Sequence, residues 1–174
     1  MKVLETERLT LRWLTADDAP FMLGLLNEPS FIENIGDRGV RTLDGAGEYI
    51  ARGAVASYEL HGYGLYLVER KDDGVPVGIC GLIKRPFLDD ADVGFALLPQ
   101  YWSKGYAHES AAAVMRMARE QLGLGRVVAI VTPGNEPSVR LLRKIGLEYE
   151  RMIALPDSGE ECALFVPRPR AGHG

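Results

Sequence analysis

Cysteine and histidine are scarce in this sequence, which holds two cysteines and three histidines in 174 residues. Cys80 and Cys162 lie in separate apolar runs and have no neighbours at the spacing of metal ligands. The sequence therefore predicts no metal site, and it favours two buried, reduced thiols over a disulfide. A reactive cysteine nucleophile is the alternative for either position.

Long apolar runs and an excess of positive charge are also absent. A net charge of −4 argues against a nucleic-acid-binding surface, which is normally basic. No apolar run approaches the length of a membrane span, and the charged segment 1–8 lacks the apolar stretch of a signal peptide. We therefore expect a cytoplasmic protein that binds neither nucleic acid nor membrane.

The length fits a single domain over 1–166, followed by a flexible tail over 167–174.

Hydrophobic periodicity predicts alternating groups of strands and helices in the order β-α-α-β-β-β-α-β-α-β-β. The strands are expected over 8–13, 64–70, 75–83, 93–98, 126–132, 148–154 and 162–166. Residues 30–41 lose all periodicity and are expected to form a long loop. This order indicates an α/β (α+β) sheet covered on both faces by helices.

The segment 99–109, Pro-Gln-Tyr-Trp-Ser-Lys-Gly-Tyr-Ala-His-Glu, joins a strand to a helix. Pro99 ends the strand and Gly105 permits a sharp turn. Such a loop leaves backbone N–H groups without partners at the positive end of the helix dipole, which suits a phosphate or pyrophosphate. It matches neither GxxxxGK[ST] nor GxGxxG. The alternative is a structural turn with no ligand.

Asn135 lies between the apolar strand 126–132 and the next helix. A side-chain amide at a strand end is well placed to meet a ligand in an open sheet. It can equally cap the helix, with Pro137 in the first turn, and both roles can hold together.

The segment from Trp102 to Ala107 resembles the pyrophosphate loop of the GCN5-related N-acetyltransferase (GNAT) family, Q/R-x-x-G-x-G/A, although Trp102 departs from the Gln or Arg. The wider pattern Tyr-Trp-x-Lys-Gly-Tyr-Ala-x-Glu is similar to RimJ/RimL-type protein acetyltransferases. Residues 135–147 resemble the family segment N-x-x-[AS]-x-x-[LV]…G-[FL]. The resemblance spans nearly the whole chain. It implies a mixed, mostly antiparallel sheet of about seven strands with helices on both faces.

The resemblance also implies acetyl-CoA as co-substrate and direct acetyl transfer to a primary amine, either a protein N-terminus or a small amine. Carried over by position, the strand edge would pair with the pantetheine amides, the loop would hold the pyrophosphate, and the next helix would contact the cofactor. These residues are Phe95, Ala96 and Leu97; Trp102, Ser103, Lys104, Gly105, Tyr106, Ala107 and His108; and Asn135 and Ser138. A backbone N–H near Leu97 would polarise the thioester carbonyl.

Two catalytic groups of other family branches are missing, because Leu142 stands where many members have a Tyr acid and Ile130 where one branch has a Glu base. Ser138 is the candidate acid, or else a plain helix-start serine. Asp92 is the candidate base, and Glu33 and Asp37 are further candidates. The alternative for each of the three is a solvated surface charge with no catalytic role.

The absence of the Tyr and the Glu leaves a second function open, namely a catalytically silent module that binds acyl-CoA.

The acceptor is expected to enter between the segments 30–41 and 156–161. Their acidic residues favour a cationic acceptor; they are Glu33, Asp37, Asp157, Glu160 and Glu161. The oligomeric state is not fixed by the sequence, and a homodimer is open.

Overall fold

The structure is a computed structural model that describes residues 1–169. Eight strands form one mixed sheet in the order β1-β2-β3-β4-β5-β6-β8-β7. The strands are β1 Lys2–Glu5, β2 Leu9–Trp13, β3 Leu65–Arg70, β4 Pro76–Ile83, β5 Ala91–Leu97, β6 Val127–Val131, β7 Leu147–Ala154 and β8 Glu161–Pro167. The helices are α1 Ala19–Leu26, α2 Pro29–Asn34, α3 Leu43–Ile50, α4 Ala56–His61, α5 Tyr106–Glu120 and α6 Glu136–Lys144. A π-helical segment, Ala51–Val55, makes α3 and α4 one continuous helix.

The central strands of the sheet are buried on both faces, and their alternate residues pack on opposite sides. On one face Leu67 and Ile79 pack with apolar residues of α1 and α3. On the other face Cys80 and Val93 pack against α5, whose Ala111 is fully buried. The expected α/β architecture with helices on both faces is confirmed. None of the helices within residues 1–169 is long and apolar enough to cross a membrane.

Two elements of the fold differ from the sequence prediction. The sheet has eight strands rather than about seven, because the short β1 pairs antiparallel with β2. Its two inward residues, Val3 and Leu4, are only partly buried, so its pattern is weak. The segment 30–41 is not entirely loop, since α2 occupies its first part and buries Phe31.

The C-terminal boundary also lies later than predicted. Pro167 is still part of β8, where it pairs with Leu147. The backbone N–H of Arg168 donates to the Gly146 carbonyl at 3.0 Å, and its guanidinium donates to the Arg143 carbonyl at 2.7 Å. The first residue of the expected tail, Pro167, is therefore the last residue of β8, and the last part of that tail, 170–174, lies outside the described residues.

The centre of the sheet opens between β5 and β6. These neighbours are the one parallel pair within residues 1–169, and they are paired only at Ala91–Val127 and Asp92–Val128. From Ala129 onward β6 is paired with β8 alone. The remainder of β5 is paired with β4 on one side and leaves its other edge open. This divergence places an unpaired strand edge in the middle of the molecule.

Candidate active site

The open edge of β5 exposes the backbone groups of alternate residues. The N–H of Leu98 donates to the Val77 carbonyl at 2.9 Å, which fixes the register of β4 against β5. Because backbone groups alternate between the two edges of a strand, those of Phe95 and Leu97 point to the open side. Those of Ala96 point to β4. The backbone of Ala96 is therefore not available to a ligand at this edge, contrary to expectation, although the residue lines the adjoining cavity.

Trp102 closes this edge where β5 ends. Its indole N–H donates to the Leu97 carbonyl at 3.0 Å, while the residue stays 48% exposed. The side chain that replaces the family's Gln or Arg is thus held by the strand. The Leu97 carbonyl has a partner, and the Leu97 N–H remains on the open side.

The loop after β5 concentrates unpaired N–H groups. Ser103 has a φ of 61°, the one positive φ of a non-glycine residue within 1–169, and Gly105 has a φ of 82°. A left-handed serine is energetically costly, and such conformations cluster at ligand-binding sites. No group of residues 1–169 accepts a hydrogen bond from the backbone N–H groups of 103–108. Gly105 caps α5, so these donors gather at a helix N-terminus, an arrangement that favours an anion.

Arg8 and Glu109 anchor this loop to the start of β2. The Arg8 guanidinium donates from Nη1 to the Lys104 carbonyl at 2.9 Å and from Nε to Glu109 Oε1 at 2.7 Å. The backbone N–H of Arg8 and the hydroxyl of Thr6 donate to Glu109 Oε2. Burial by itself would raise the pKa of Glu109, but these donors outweigh it and lower that pKa. Glu109 is therefore an ionised carboxylate that holds the loop.

The same arginine explains two further residues of the loop. Its guanidinium lies over the Tyr106 ring, 4.6 Å from the ring centre. A Cβ atom at Gly105 would lie 3.2 Å from Arg8 Nη2, so Arg8 crowds any side chain there. Arg8 and Thr6 could not be predicted as site residues, because a contact across about a hundred residues leaves no local pattern in the sequence.

A cavity of about 870 Å³ opens beside the free edge of β5. It is bounded by β5, by β6 and the start of α6, and by α2, α3 and α4. Phe95 lies on one wall, and Ile130 and Leu142 lie on another. The two positions that carry a Glu or Tyr in other family branches thus contribute only apolar surface here.

Asn135 and Ser138 line the same cavity. Asn135 Oδ1 accepts a long hydrogen bond, 3.5 Å, from the backbone N–H of Ser138 and so caps α6. Within residues 1–169 neither the Asn135 amide nitrogen nor the Ser138 hydroxyl has a hydrogen-bond partner. Capping by Asn135 is confirmed, and its amide donor stays available to a ligand.

Asp92 lies at the point where β5 and β6 diverge. Only 1% of the residue is exposed, and it lines the cavity, so its interpretation as a solvated surface charge is wrong. Its Oδ1 accepts a hydrogen bond from Arg85 Nε at 3.0 Å. Burial raises the pKa of Asp92 to about 6, although Arg85 opposes this shift. Asp92 is thus a buried carboxyl group that holds its proton more strongly than an exposed aspartate does.

The acidic residues expected around the acceptor do not line the cavity; they are Glu33, Asp37, Asp157, Glu160 and Glu161. Asp37 is instead paired with Arg41 at 2.7 Å. The segment 30–41 does line the cavity, but through other residues, among them Phe31 and Arg38. The charged side chains on the cavity wall are mostly cationic, namely Arg38, Arg52, Lys84 and Arg85.

Both cysteines are free and buried, as predicted. Cys80 is packed in the core with α5, and burial raises its pKa to about 12. Cys162 lines the cavity, and burial raises its pKa as well. Thiols with raised pKa values are poor nucleophiles at neutral pH.

Comparison with known proteins agrees with this geometry. Residues 8–148 match the acetyltransferase (GNAT) domain family. The uncharacterized N-acetyltransferase YoaA of Bacillus subtilis is 29% identical over 152 residues, which cover 87% of this chain and 85% of that protein. An acetyltransferase from Agrobacterium tumefaciens superposes with a TM-score of 0.81 at 24% identity over 97% of this chain and 95% of its own. RimL, a ribosomal L7/L12 alpha-N-protein acetyltransferase solved with coenzyme A, gives 0.81 at 15% identity over 97% of both chains.

The fold is thus shared with RimL-like ribosomal-protein acetyltransferases. The family match covers most of the chain and includes the β5 edge, the loop and the first part of β7. Members of this family use acetyl-CoA. The chain belongs to the GNAT acetyltransferase family.

Proposed function

We propose that this protein transfers the acetyl group of acetyl-CoA directly to a primary amine, without an acyl-enzyme. The observation that carries the proposal is the open edge of β5, which ends at a loop of unpaired N–H groups and borders a cavity. A strand edge accepts an extended ligand that bears amides, and the loop accepts phosphates. A single extended molecule with amides at one end and a pyrophosphate at the other fits both features.

The residues present fit acetyl-CoA in a definite order. The N–H groups of 103–108 would hold the pyrophosphate, and the open edge of β5 that begins at Leu97 would hold the pantetheine amides. The Asn135 amide, with its free donor, lies on the opposite wall. Bound acetyl-CoA supplies the thioester whose carbonyl the acceptor amine attacks.

In this reaction the C–N bond forms, the C–S bond breaks, the amine loses a proton and the CoA sulfur leaves as a thiolate. The thioester lies beyond the pantetheine amides from the pyrophosphate, so the donor that would stabilise its carbonyl oxygen is the Phe95 N–H, which is farther from the loop than the Leu97 N–H expected from the sequence. Asp92, three residues before Phe95 on β5, would take the amine proton through water, because its pKa of about 6 leaves it ionised and yet basic at neutral pH. Arg85 orients the Asp92 carboxylate by holding Oδ1.

Ser138 would return a proton to the departing thiolate, directly or through water. It lines the cavity near the start of α6, and its hydroxyl has no partner within residues 1–169. The contribution of such an acid is small, because a thiolate is already a good leaving group. Leu142 has no hydroxyl, so it cannot act where other members place a tyrosine.

Initial velocities of CoA release, measured while acetyl-CoA and an amine acceptor are both varied, test this proposal. Direct transfer predicts lines that intersect in a double-reciprocal plot, and Cys162→Ala and Cys80→Ala variants that still turn over. Parallel lines, together with an acetylated cysteine that turns over at the steady-state rate, would establish an acyl-enzyme instead. Tight CoA binding with no release on any amine of a broad panel would establish the silent binding module.

A further inference from the structure

The charges on the cavity wall indicate what the acceptor carries besides its amine. Four cationic side chains and two carboxylates line the cavity: Arg38, Arg52, Lys84 and Arg85, with Glu48 and Asp92. Two ion pairs form among them. Arg85 pairs with Asp92 at 3.0 Å and Arg52 with Glu48 at 3.2 Å. Lys84 and Arg38 are the cations left over.

Lys84 is half-buried and has only neutral partners. Its ammonium donates to the carbonyls of Leu88 and Arg85. Within residues 1–169 it has no carboxylate within ion-pair distance, and neither has Arg38. Lys84 and Arg85 both act on the single carboxylate of Asp92, which leaves an excess of positive charge in a partly desolvated site, and such an excess is unfavourable. An anionic group in the cavity would offset this cost.

The phosphates of CoA do not supply that group. Lys84 directly follows β4, whose last residue Ile83 is paired with Asp92 at the start of β5. The loop that suits the pyrophosphate follows the other end of β5, beyond Leu97. Five residues of strand separate the two ends by roughly 16 Å. Lys84 therefore belongs to the acceptor end of the cavity, and Arg38 is a second unpaired cation on the wall of the same cavity.

We propose that the acceptor of this enzyme carries an anionic group, a carboxylate or a phosphate, close to the amine that is acetylated. Lys84 and Arg38 bind that group and determine specificity. The same cations disfavour a protonated amine, so the acceptor is held in the neutral form that attacks the thioester. This inference rests on the proposed acetyltransfer.

Matched acceptors that differ only in the anionic group provide the test. Free leucine is compared with leucinamide, phosphoethanolamine with ethanolamine, and C-terminally amidated Ala-Asp-Ala with Ala-Asn-Ala. Amidation lowers the pKa of the amine, so leucinamide has the larger fraction of neutral, reactive amine at neutral pH, and a preference for leucine would have to come from binding of its carboxylate. We expect kcat/KM to be at least about tenfold higher for the anionic member of the pair that fits, a factor typical of one charge-assisted contact. The pair that responds distinguishes a small carboxylate, a phosphate and an acidic peptide.

Variants of Arg38 and Lys84 test whether these two cations cause the preference for an anionic acceptor. Arg38→Gln and Lys84→Gln should each raise KM for the anionic acceptor and reduce the preference, with the KM for acetyl-CoA unchanged. Arg38 is exposed, so its replacement leaves the fold intact, and Lys84→Arg should keep the preference. Arg41→Gln is the matched control, because Arg41 lies nearby, pairs with Asp37 and does not line the cavity.

The outcomes separate this inference from the proposed function. Equal or faster acetylation of the neutral member in every pair would overturn the anionic acceptor while leaving acetyltransfer intact. An anionic preference that survives in both Gln variants would overturn the role of Lys84 and Arg38. No acetylation of any acceptor by a protein that binds CoA would overturn the proposed function and this inference together.

Discussion

Arg8 and Glu109 are joined by two hydrogen bonds across 101 positions of the sequence, one from the guanidinium and one from the backbone N–H of Arg8. The same guanidinium also donates to the Lys104 carbonyl. The side chain of Arg8, the residue directly before β2, thus holds both the loop and the first turn of α5. These bonds hold the loop in a shape in which its N–H groups have no acceptor among residues 1–169.

Loosening this anchor should weaken CoA binding without slowing chemistry. We expect Glu109→Gln and Arg8→Lys to raise the Kd for CoA by about tenfold, the effect of one lost charge-assisted contact, with kcat little changed. Isothermal titration with CoA and steady-state kinetics measure the two effects. Glu120→Gln, at the exposed far end of α5, is the control. An unchanged Kd for CoA in both anchor variants would show that the loop keeps its conformation without Arg8 and Glu109.

The anchor also has a definite pH dependence. The pKa of Glu109 is lowered from its ordinary value of 4.5 in the folded protein, so its contribution is present above that value. It is lost as the pH falls through the lowered pKa and the carboxylate becomes protonated. CoA affinity of the wild type should therefore fall at acid pH, and that of Glu109→Gln should fall less.

A carboxylate placed in the first turn of α5 should abolish CoA binding. Ala107 is partly buried, and its N–H is one of the free donors of the loop. Ala107→Glu would set a negative charge against the pyrophosphate, whereas Ala107→Gln adds the same bulk without charge. We expect a much larger loss of affinity in Ala107→Glu than in Ala107→Gln, measured by thermal shift with CoA. Equal losses would mean that bulk alone matters, and full affinity in both would place the pyrophosphate elsewhere.

The local part of this site was predictable from sequence, and the long-range part was not. Gly105, the strand before it and the cap at Asn135 follow from residue types at fixed spacing. The anchor from Arg8 and the pairing of Arg85 with Asp92 depend on how distant strands align, which periodicity does not report. The burial of Asp92 was missed for the same reason, because a single aspartate at a strand start reads as exposed.

Asp92 should control the acid limb of the pH profile. If it is the base, kcat/KM falls as the pH drops through about 6, because the protonated carboxyl cannot accept the amine proton. Asp92→Asn should lower kcat by about 10²-fold and remove that limb. Asp90→Asn is the matched control, since Asp90 pairs with Arg126 and does not line the cavity. An unchanged limb near pH 6 in the Asn variant would assign the base to another group or to water.

Ser138 offers a test of the proton donor. Ser138→Ala should lower kcat by about 10²-fold or less, with little change in KM for acetyl-CoA, because protonation of a good leaving group adds little. Asn135→Ala should instead raise that KM. Thermal stability is measured on the same preparations, since Ser138 lies in the first turn of α6. Full kcat with a lowered Tm would remove Ser138 from the catalytic residues and leave solvent as the acid.

The central claim is that the open edge of β5 and the loop after it hold acetyl-CoA. Amide hydrogen exchange with and without CoA tests it directly, because these N–H groups have no partners in the free protein. We predict slower exchange at Phe95, Leu97 and 103–108 when CoA is added, with no change along β7 at the far edge of the sheet. Saturating CoA that raises the Tm and leaves the exchange of those amides unchanged would contradict the account.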